Sequence, residues 1–469
     1  MGNTNSRGAN MGVIAPIVAV ATIGGFMFGY DSGVVNGTQA GLESAFNLKE
    51  LGTGLTVGAI LAGCAIGAFA AGRLADVLGR RRVMMISAVL FLFSALAAAA
   101  ADSAYTFILA RIVGGFGVGA ASVLSPAYIS EVTPANLRGR LATVQQIMII
   151  TGLTGAFVIN YVLAKVAGSS TAPFWFGYPA WRWMFLAQIV PAAVYFLALL
   201  QIPESPRFLV LRDRVDEAHA VLTRLFGADE ATRKVAEIAA SLTKDHRPRL
   251  ADLVDPASGK VRKVVWAGIG LAVFQQLVGI NIIFYYGAVL WQSVGFTEAD
   301  ALINNILSGS LSIAACIAAA LVIDRIGRKP LLLIGSLGMA ITLAVVAYCF
   351  STATLGADGA VQLAHGLGMV ALVSALGYVV FFNFSWGPVM WVMLGEMFPT
   401  QIRGSGLAVS GFAQWTANFV ISVSFLWLAK HVGLAATYGF YATSALISFF
   451  FVSALVRETA GIELEAMEG

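Results

Sequence analysis

Charge is what this chain has least of. Asp, Glu, Lys and Arg make up 12% of its 469 residues, against roughly 25% in soluble domains, so most of the polypeptide has no means of facing water. Cysteine is also scarce. Cys64, Cys316 and Cys349 all fall inside apolar runs and share no ligand spacing, which excludes a disulfide framework and a metal cluster and leaves packing as their role. No His or Cys constellation, nucleophile elbow or metal-ligand spacing marks the chain as an enzyme, and neither metal nor cofactor is expected. A basic domain outside the apolar segments is missing too. The net charge of +4 therefore gives no ground for nucleic-acid binding. The first apolar run has no short core followed by a small-residue cleavage site, and it carries Asp31, so it is expected to stay in the mature protein.

What remains is hydrocarbon. Hydrophobic residues make up 58% of the chain and the mean hydropathy is +0.81. A membrane span needs about 20 apolar residues. Twelve runs meet that need, near 12–36, 52–73, 83–101, 104–130, 140–164, 183–202, 264–292, 301–323, 331–350, 366–394, 405–429 and 435–456. Among the 29 Lys and Arg residues, all but Lys49, Arg111, Lys165, Arg182 and Lys430 fall on one side of the spans they define. The excess of positive charge on cytoplasmic loops then predicts that both termini and the long middle segment are cytoplasmic.

That middle segment, 203–263, separates six runs from six. Ala218, Val221, Leu222, Leu225 and Phe226 recur in it at helical spacing, as do Val235, Ile238 and Leu242, which predicts short amphipathic helices. The expected organisation is a first six-helix bundle over 1–202, a linker over 203–263, a second bundle over 264–457 and a tail over 458–469. The two halves repeat each other's loop signatures. Asp76-Val-Leu-Gly-Arg80-Arg81 after the second run answers Asp324-Arg-Ile-Gly-Arg328 after the eighth, and Glu131-x-x-Pro-x-x-x-Arg138 after the fourth answers Glu396-x-x-Pro-x-x-x-Arg403 after the tenth. Glu204 and Arg207 after the sixth run are answered by Glu458 after the twelfth. Topology alone asks only for the positive members of this set. The matched acids point to an ion-pair latch that holds the cytoplasmic rim together in one state and releases it in another.

The seventh run places several polar groups where polarity is costly. Gln275, Gln276, Asn281 and Tyr285 crowd into Phe274–Tyr286 around Gly279. Amides are expensive to bury in hydrocarbon unless each finds a partner, and a polyhydroxylated ligand supplies such partners. Gly279 is where the helix is expected to loosen toward a cavity.

Taken together, the loop signatures in order, Pro-Glu-Ser-Pro-Arg after the sixth run, and Gln-Gln-x-x-Gly-x-Asn in the seventh resemble the sugar porter family of the major facilitator superfamily, over nearly the whole chain. The resemblance implies an all-α membrane protein of the bacterial inner membrane. Its twelve helices would form two pseudo-symmetric bundles around a central cavity, working as a monomer by alternating access. It implies a sugar site at Phe28, Gln146, Gln275, Gln276, Asn281, Tyr285, Ser312, Gly387, Trp391, Gln414 and Trp415, with Trp386, Pro388 and Asn418 in support. The chemistry agrees, since amides offer a donor and an acceptor to vicinal hydroxyls and an indole face suits the C–H face of a pyranose. Ser312 and Leu153 stand where xylose symporters of the family carry Asn and Gln, and Arg457 and Ala460 depart from the usual signature after the twelfth run.

Asp31 and Arg111 are opposite charges inside the first half, expected to find each other. The family's proton symporters place an Asp at the position of Asp31, whereas its facilitative glucose transporters have an uncharged residue there. The resemblance therefore implies proton-coupled uptake of a monosaccharide of the glucose, xylose, galactose or arabinose class. A facilitative uniporter is the alternative, and a sugar sensor on the same scaffold a more distant one. Pentose and hexose differ by one hydroxymethyl group, a distinction worth only about 1–3 kcal/mol in a pocket, so the sugar stays open.

Overall fold

The protein was analysed as a computed structural model, which describes residues 10–134, 138–244, 250–255, 258–293, 295–355, 361–363, 366–399 and 402–459. Among these, twelve helices are long and apolar enough to cross a membrane. Spans one to six are Met11–Phe46, Glu50–Leu78, Arg80–Ala100, Ala104–Val132, Val144–Ala167 and Ala180–Leu199. Spans seven to twelve are Lys263–Gln292, Glu298–Ile326, Arg328–Ser351, Leu367–Met397, Arg403–His431 and Leu434–Leu455. Between the two sets lie the short helices Pro206–Leu211, Val215–Phe226 and Ala228–Lys244. The second of these buries Ala218, Leu222, Leu225 and Phe226, the face its helical spacing requires. Asn10 N donates to Leu225 O at 2.8 Å, which ties the start of span one to it.

Without water to drive apolar faces together, membrane helices associate by close packing of small residues. Spans two and four show how. Gly63 and Gly67 lie against the backbone of Ile112 and Phe116, and Gly115 and Gly119 lie against that of Ile60 and Cys64, so that a Cβ at any of the four would strike a carbonyl. The crossing is self-complementary and leaves no room for a side chain.

The repeated loop signature has a structural cause. Span two ends at Gly79 (φ 99°) and span eight at Gly327 (φ 94°), a left-handed conformation that glycine adopts without cost. A carboxylate from the end of the same half sits over each turn. Glu204 accepts Arg81 N at 3.1 Å. Glu458 accepts Arg328 N and Lys329 N at 2.9 Å each. Each acid thus satisfies free N–H groups at the start of a helix and faces the positive end of its dipole. A Cβ on Gly327 would come to 2.7 Å of the Glu458 carboxylate, and one on Gly79 closer still to Glu204. The departure at Arg457 therefore leaves the role of Glu458 intact.

Among the described residues three spans are interrupted: span six, at Ala187 and Gln188, where the backbone stays in the right-handed helical region, and spans seven and ten of the second set, where it leaves it. Span seven runs as Lys263–Leu277 and Ile280–Ser293, with Gly279 at φ 82° between them, where the sequence placed a loosening. The carbonyl freed at Val278 accepts the Tyr378 hydroxyl at 2.7 Å. Span ten breaks at Ser385, which separates Leu367–Phe384 from Trp386–Met397, just ahead of Pro388.

The two sets meet mainly at the end opposite the repeated loop motifs. Span one is longer there than its apolar run, continuing to Phe46 where the run was expected to stop near 36. Its polar continuation is buried against spans seven and eight. Asn36 Nδ2 donates to Phe284 O at 2.7 Å, its Oδ1 accepts Ala288 N at 3.0 Å and Asn305 Nδ2 at 2.7 Å, and Gln39 Nε2 donates to Tyr285 O. Glu50 and Lys430 close the rim above. Asn36→Ala would strand three polar groups at this seam, worth about 1–3 kcal/mol. The expected result is a shift toward the state open at this end, read as faster thiol labelling of a cysteine at Val423 from that face. Unchanged labelling would show that Asn36 does not hold the closure.

Candidate functional site

A cavity of about 600 Å³ lies between the two sets of spans. It extends to Gly72 and Pro126 in the first set and to Gly395 and Gly404 in the second, residues near the motif-bearing ends of their helices, so it opens toward that end. Phe28, Gln146, Gln275, Gln276, Asn281, Tyr285, Gly387, Trp391, Gln414 and Trp415 all line it. Pro388 and Asn418 do as well, whereas Trp386 is fully buried with its indole N–H on Leu332 O and Ser336 Oγ.

The broken helices position these groups. Stopping span seven at Leu277 aims Gln275 and Gln276 at the mouth of its second half, where Asn281 begins the next turn. The amides form one chain. Asn281 Nδ2 donates to Gln276 Oε1 at 2.6 Å, Gln276 Nε2 to Gln275 Oε1 at 3.1 Å, and Gln275 Nε2 to Trp386 O at 3.3 Å, a carbonyl at the break in span ten. Gln414 Nε2 joins at Gln275 Oε1, 2.5 Å away. The amides thus find partners in one another and across helices as well as facing the cavity, and Gln414 Oε1 stays unpartnered. A row of amides that can exchange each other for hydroxyls is suited to a polyol. Across the cavity, Phe28 and Trp415 meet at 5.5 Å between ring centroids, one ring from each set. Tyr285 reaches both Ser32 and Asn418 through its hydroxyl. Trp391 is 40% exposed and so keeps an indole face free for a ligand.

Ser312 is the exception. It is fully buried and off the cavity wall, with its hydroxyl donating to Ser308 O at 2.7 Å and accepting Asn383 Nδ2 at 3.1 Å. The shorter side chain is taken up by its own helix and by span ten. Gln145, by contrast, was missed. It lines the cavity beside Gln146, 5% exposed, with neither amide atom partnered. Adjacent amides in span five were the signal for it.

Asp31 and Arg111 do pair. Arg111 Nη1 donates to Asp31 Oδ1 at 2.6 Å and Nη2 to Asp31 O at 3.1 Å. Both side chains are 1% exposed, and the guanidinium lies over the Phe185 ring at 5.5 Å. Asp31 Oδ2 and Arg111 Nε have no partner. The carboxylate is one residue from Ser32 on the cavity wall.

At the motif-bearing rim the expected charges assemble within each half. Arg80 pairs with Asp76 at 3.0 Å and with Glu131 at 3.3 Å, Ser205 Oγ donates to Glu131, and Arg207 adds its field there. Arg81 turns instead to the carbonyls of Leu199 and Leu200. In the second half Arg328 pairs with Asp324 at 3.0 Å and grips Glu396 with two nitrogens at 3.1 and 3.0 Å, and Thr459 Oγ1 donates to Glu396 at 2.6 Å. Arg403 donates to Phe398 O at 3.4 Å and leaves Nη2 unpartnered. The side chain of Arg138 lies outside the described residues. A latch between the halves is thus not formed among the described residues, because the cavity that opens here holds the two rims apart.

Over residues 17–469 the chain matches the family model described as Sugar (and other) transporter. It is 46% identical over 460 residues to the glucose transport protein of Synechocystis sp., covering 98% of each chain. It is 36% identical to the D-xylose-proton symporter of Escherichia coli, over 98% of this chain and 96% of that one. A partially occluded, inward-open structure of the xylose transporter XylE from E. coli matches with a TM-score of 0.81 at 33% identity, covering 95% of this chain and 100% of that one. The structure of the same proton:xylose symporter bound to 6-bromo-6-deoxy-D-glucose matches with a TM-score of 0.81 at 35% identity, over 98% and 99%. Family model, relatives and fold agree: the chain belongs to the sugar transporter family, with the major facilitator fold, and is a membrane transporter rather than an enzyme.

Proposed function

We propose that this protein carries a monosaccharide into the cell together with a proton, by alternating access, with the motif-bearing end and both termini in the cytoplasm of a bacterium. The observation that carries the reading is the buried Asp31–Arg111 pair beside the cavity. A carboxylate taken out of water is costly to keep charged without full compensation, and here one oxygen is held by Arg111 while the other is free. The free oxygen is a place for a proton, and Arg111 is the group that decides when it leaves. The names of the E. coli xylose symporter and of the arabinose-proton symporter of Bacillus subtilis support the coupling. One proton moving through 100 mV supplies about 2.3 kcal/mol, enough for roughly a fiftyfold sugar gradient.

The sugar site in this reading is the amide chain Asn281–Gln276–Gln275 with Gln414, faced by Trp391 and by the Phe28–Trp415 pair. The rim clusters act as rivets within each half, and Arg403 is the cation available to reach across when the rims close. The division into bundles over 1–202 and 264–457 joined by 203–263 supplies the two bodies that move.

Three outcomes follow. Gln276→Ala and Asn281→Ala should each weaken sugar binding by about 1–3 kcal/mol in a direct binding titration, and full affinity in both would remove the amide chain from the site. Asp31→Asn should abolish uphill, proton-driven accumulation in proteoliposomes while leaving counterflow. If the wild type takes up no proton with sugar, or the Asn variant still concentrates it, the protein is a uniporter and the pair is structural. Arg403→Gln should shift the population toward the state open at the motif-bearing end, seen as increased thiol accessibility at Gly395→Cys. Unaltered accessibility would confine the rim charges to holding each half together.

A further inference from the structure

Most of the exposed apolar surface belongs to helix faces that a bilayer covers, but one patch is built on a loop. Residues 168–179, between spans five and six, close on themselves. Pro173 bridges antiparallel to Pro179, Phe174 N donates to Tyr178 O at 2.8 Å, and Ala180 N donates to Ala172 O at 3.0 Å. The tip is aromatic and turned outward. Phe176 is 89% exposed, Trp175 61% and Tyr178 57%. Phe176 has φ 56°, which a bulky side chain avoids, and such strain persists only where the surroundings impose it. The rings lock one another in that pose. Trp175 stacks on Phe174 at 4.9 Å and meets Trp183 edge-on at 5.4 Å, and Phe176 lies nearly parallel to Trp183 at 6.2 Å.

The place of the loop narrows what covers it. Spans five and six end at Ala167 and begin at Ala180, so the loop sits where a bilayer's hydrocarbon gives way to headgroups, at the end opposite the motifs. Val162 and Val166 on span five and Val190 and Val194 on span six are exposed and carry the apolar surface up to it. Lys165 is exposed in the same stretch, with its ammonium 5.4 Å from the Tyr161 ring centroid, extended past apolar surface as a cation does when it reaches for a phosphate. The second half has nothing similar in its matching loop, where only Val432 and Gly433 separate spans eleven and twelve.

We propose that the Trp175–Phe176–Tyr178 tip inserts into the lipid headgroup layer at that end and anchors the first half there, while the second half moves against it. Indole and phenol rings concentrate at this depth because one end of each is apolar and the other wet. A carbohydrate is a poorer occupant. The tip is convex, and the N–H groups of Phe174, Gly177 and Tyr178 are spent within the loop, whereas a sugar platform needs free polar groups beside its rings. The base of the loop donates from Ser170 N to Glu298 Oε1 of span eight at 3.1 Å, so the anchor also touches the seam that must part when this end opens.

The test uses the full-length protein with a nitroxide on Phe176→Cys, the native cysteines being buried and the unsubstituted protein serving as blank. Reconstituted in vesicles of phosphatidylethanolamine and phosphatidylglycerol, the label should collide with oxygen several-fold more often than with a water-soluble nickel chelate. A label on Ser258→Cys in the polar linker should show the reverse. Trp175→Ser combined with Phe176→Ser should slow transport in the same vesicles without changing sugar affinity. Nickel collisions at 176 equal to those at 258 would overturn the proposal, as would protection of the label only when a monosaccharide is added, which would make the loop a sugar-capture surface.

Discussion

Every polar group in this molecule that leaves water has to be met by another, because hydrocarbon offers it nothing. Much of the architecture follows from where that demand is placed. On most spans it is met within the helix, and the surface is left to small residues that let backbones touch, as at the crossing of spans two and four. In a few places the chain spends polar groups deliberately. They cluster at the amide chain of span seven, at the Asp31–Arg111 pair, at Asn36 and at the two rims.

These clusters differ in how complete they are. The rim acids Glu204 and Glu458 each accept backbone N–H groups at a helix start, and Glu396 is held by two nitrogens of Arg328 and by Thr459. They are finished structures, and they repeat in both halves because each half needs the same corner. The cavity groups are unfinished. Gln145 lacks partners on both amide atoms, Gln414 on one, and Asp31 on one oxygen. A satisfied network holds a shape, whereas an unsatisfied one keeps free energy available for a ligand or a proton.

The class, the twelve spans and the amides of span seven were legible because membrane sequence has few ways to vary: a span must be apolar, so each polar residue inside one stands out. Gly279 announced its break for the same reason. Phe28, Gln146, Trp391, Gln414 and Trp415 were named only through the family resemblance, and apolar lining residues such as Ala65, Ile149 and Phe412 carry no signal of their own. What else was not legible came from residues whose partners are distant in sequence. Span one was expected to end near 36 because Asn36, Gln39 and Glu43 look like the start of a loop, yet Glu43 accepts from Thr53 of span two and the two amides face spans seven and eight, with Asn36 bonded 248 positions away at Phe284. Ser312 fails for a different reason: the family resemblance placed it on the cavity, but a hydroxyl shorter than the family's amide turns back to its own helix, onto Ser308 O. The rim charges were recognised as a set, while their pairing within each half joins spans far apart in sequence, Arg80 to Glu131 and Arg328 to Glu396.

Span one is the element through which these parts are connected. Within twelve positions it carries Phe28 against Trp415, Asp31 against Arg111, Ser32 at Tyr285, and Asn36 and Gln39 at the closed seam. At about 1.5 Å per residue these contacts span roughly 16 Å of one helix. The proton coupling proposed above would weaken the hold of Asp31 on Arg111 in span four and so free span one to tilt. A tilt of so short a lever moves both its ends. It shifts Phe28 at the sugar and strains the Asn36 hydrogen bonds to Phe284, Ala288 and Asn305 at the seam in one step. Proton, sugar and gate need no separate relay between them, because each holds a different turn of the same helix.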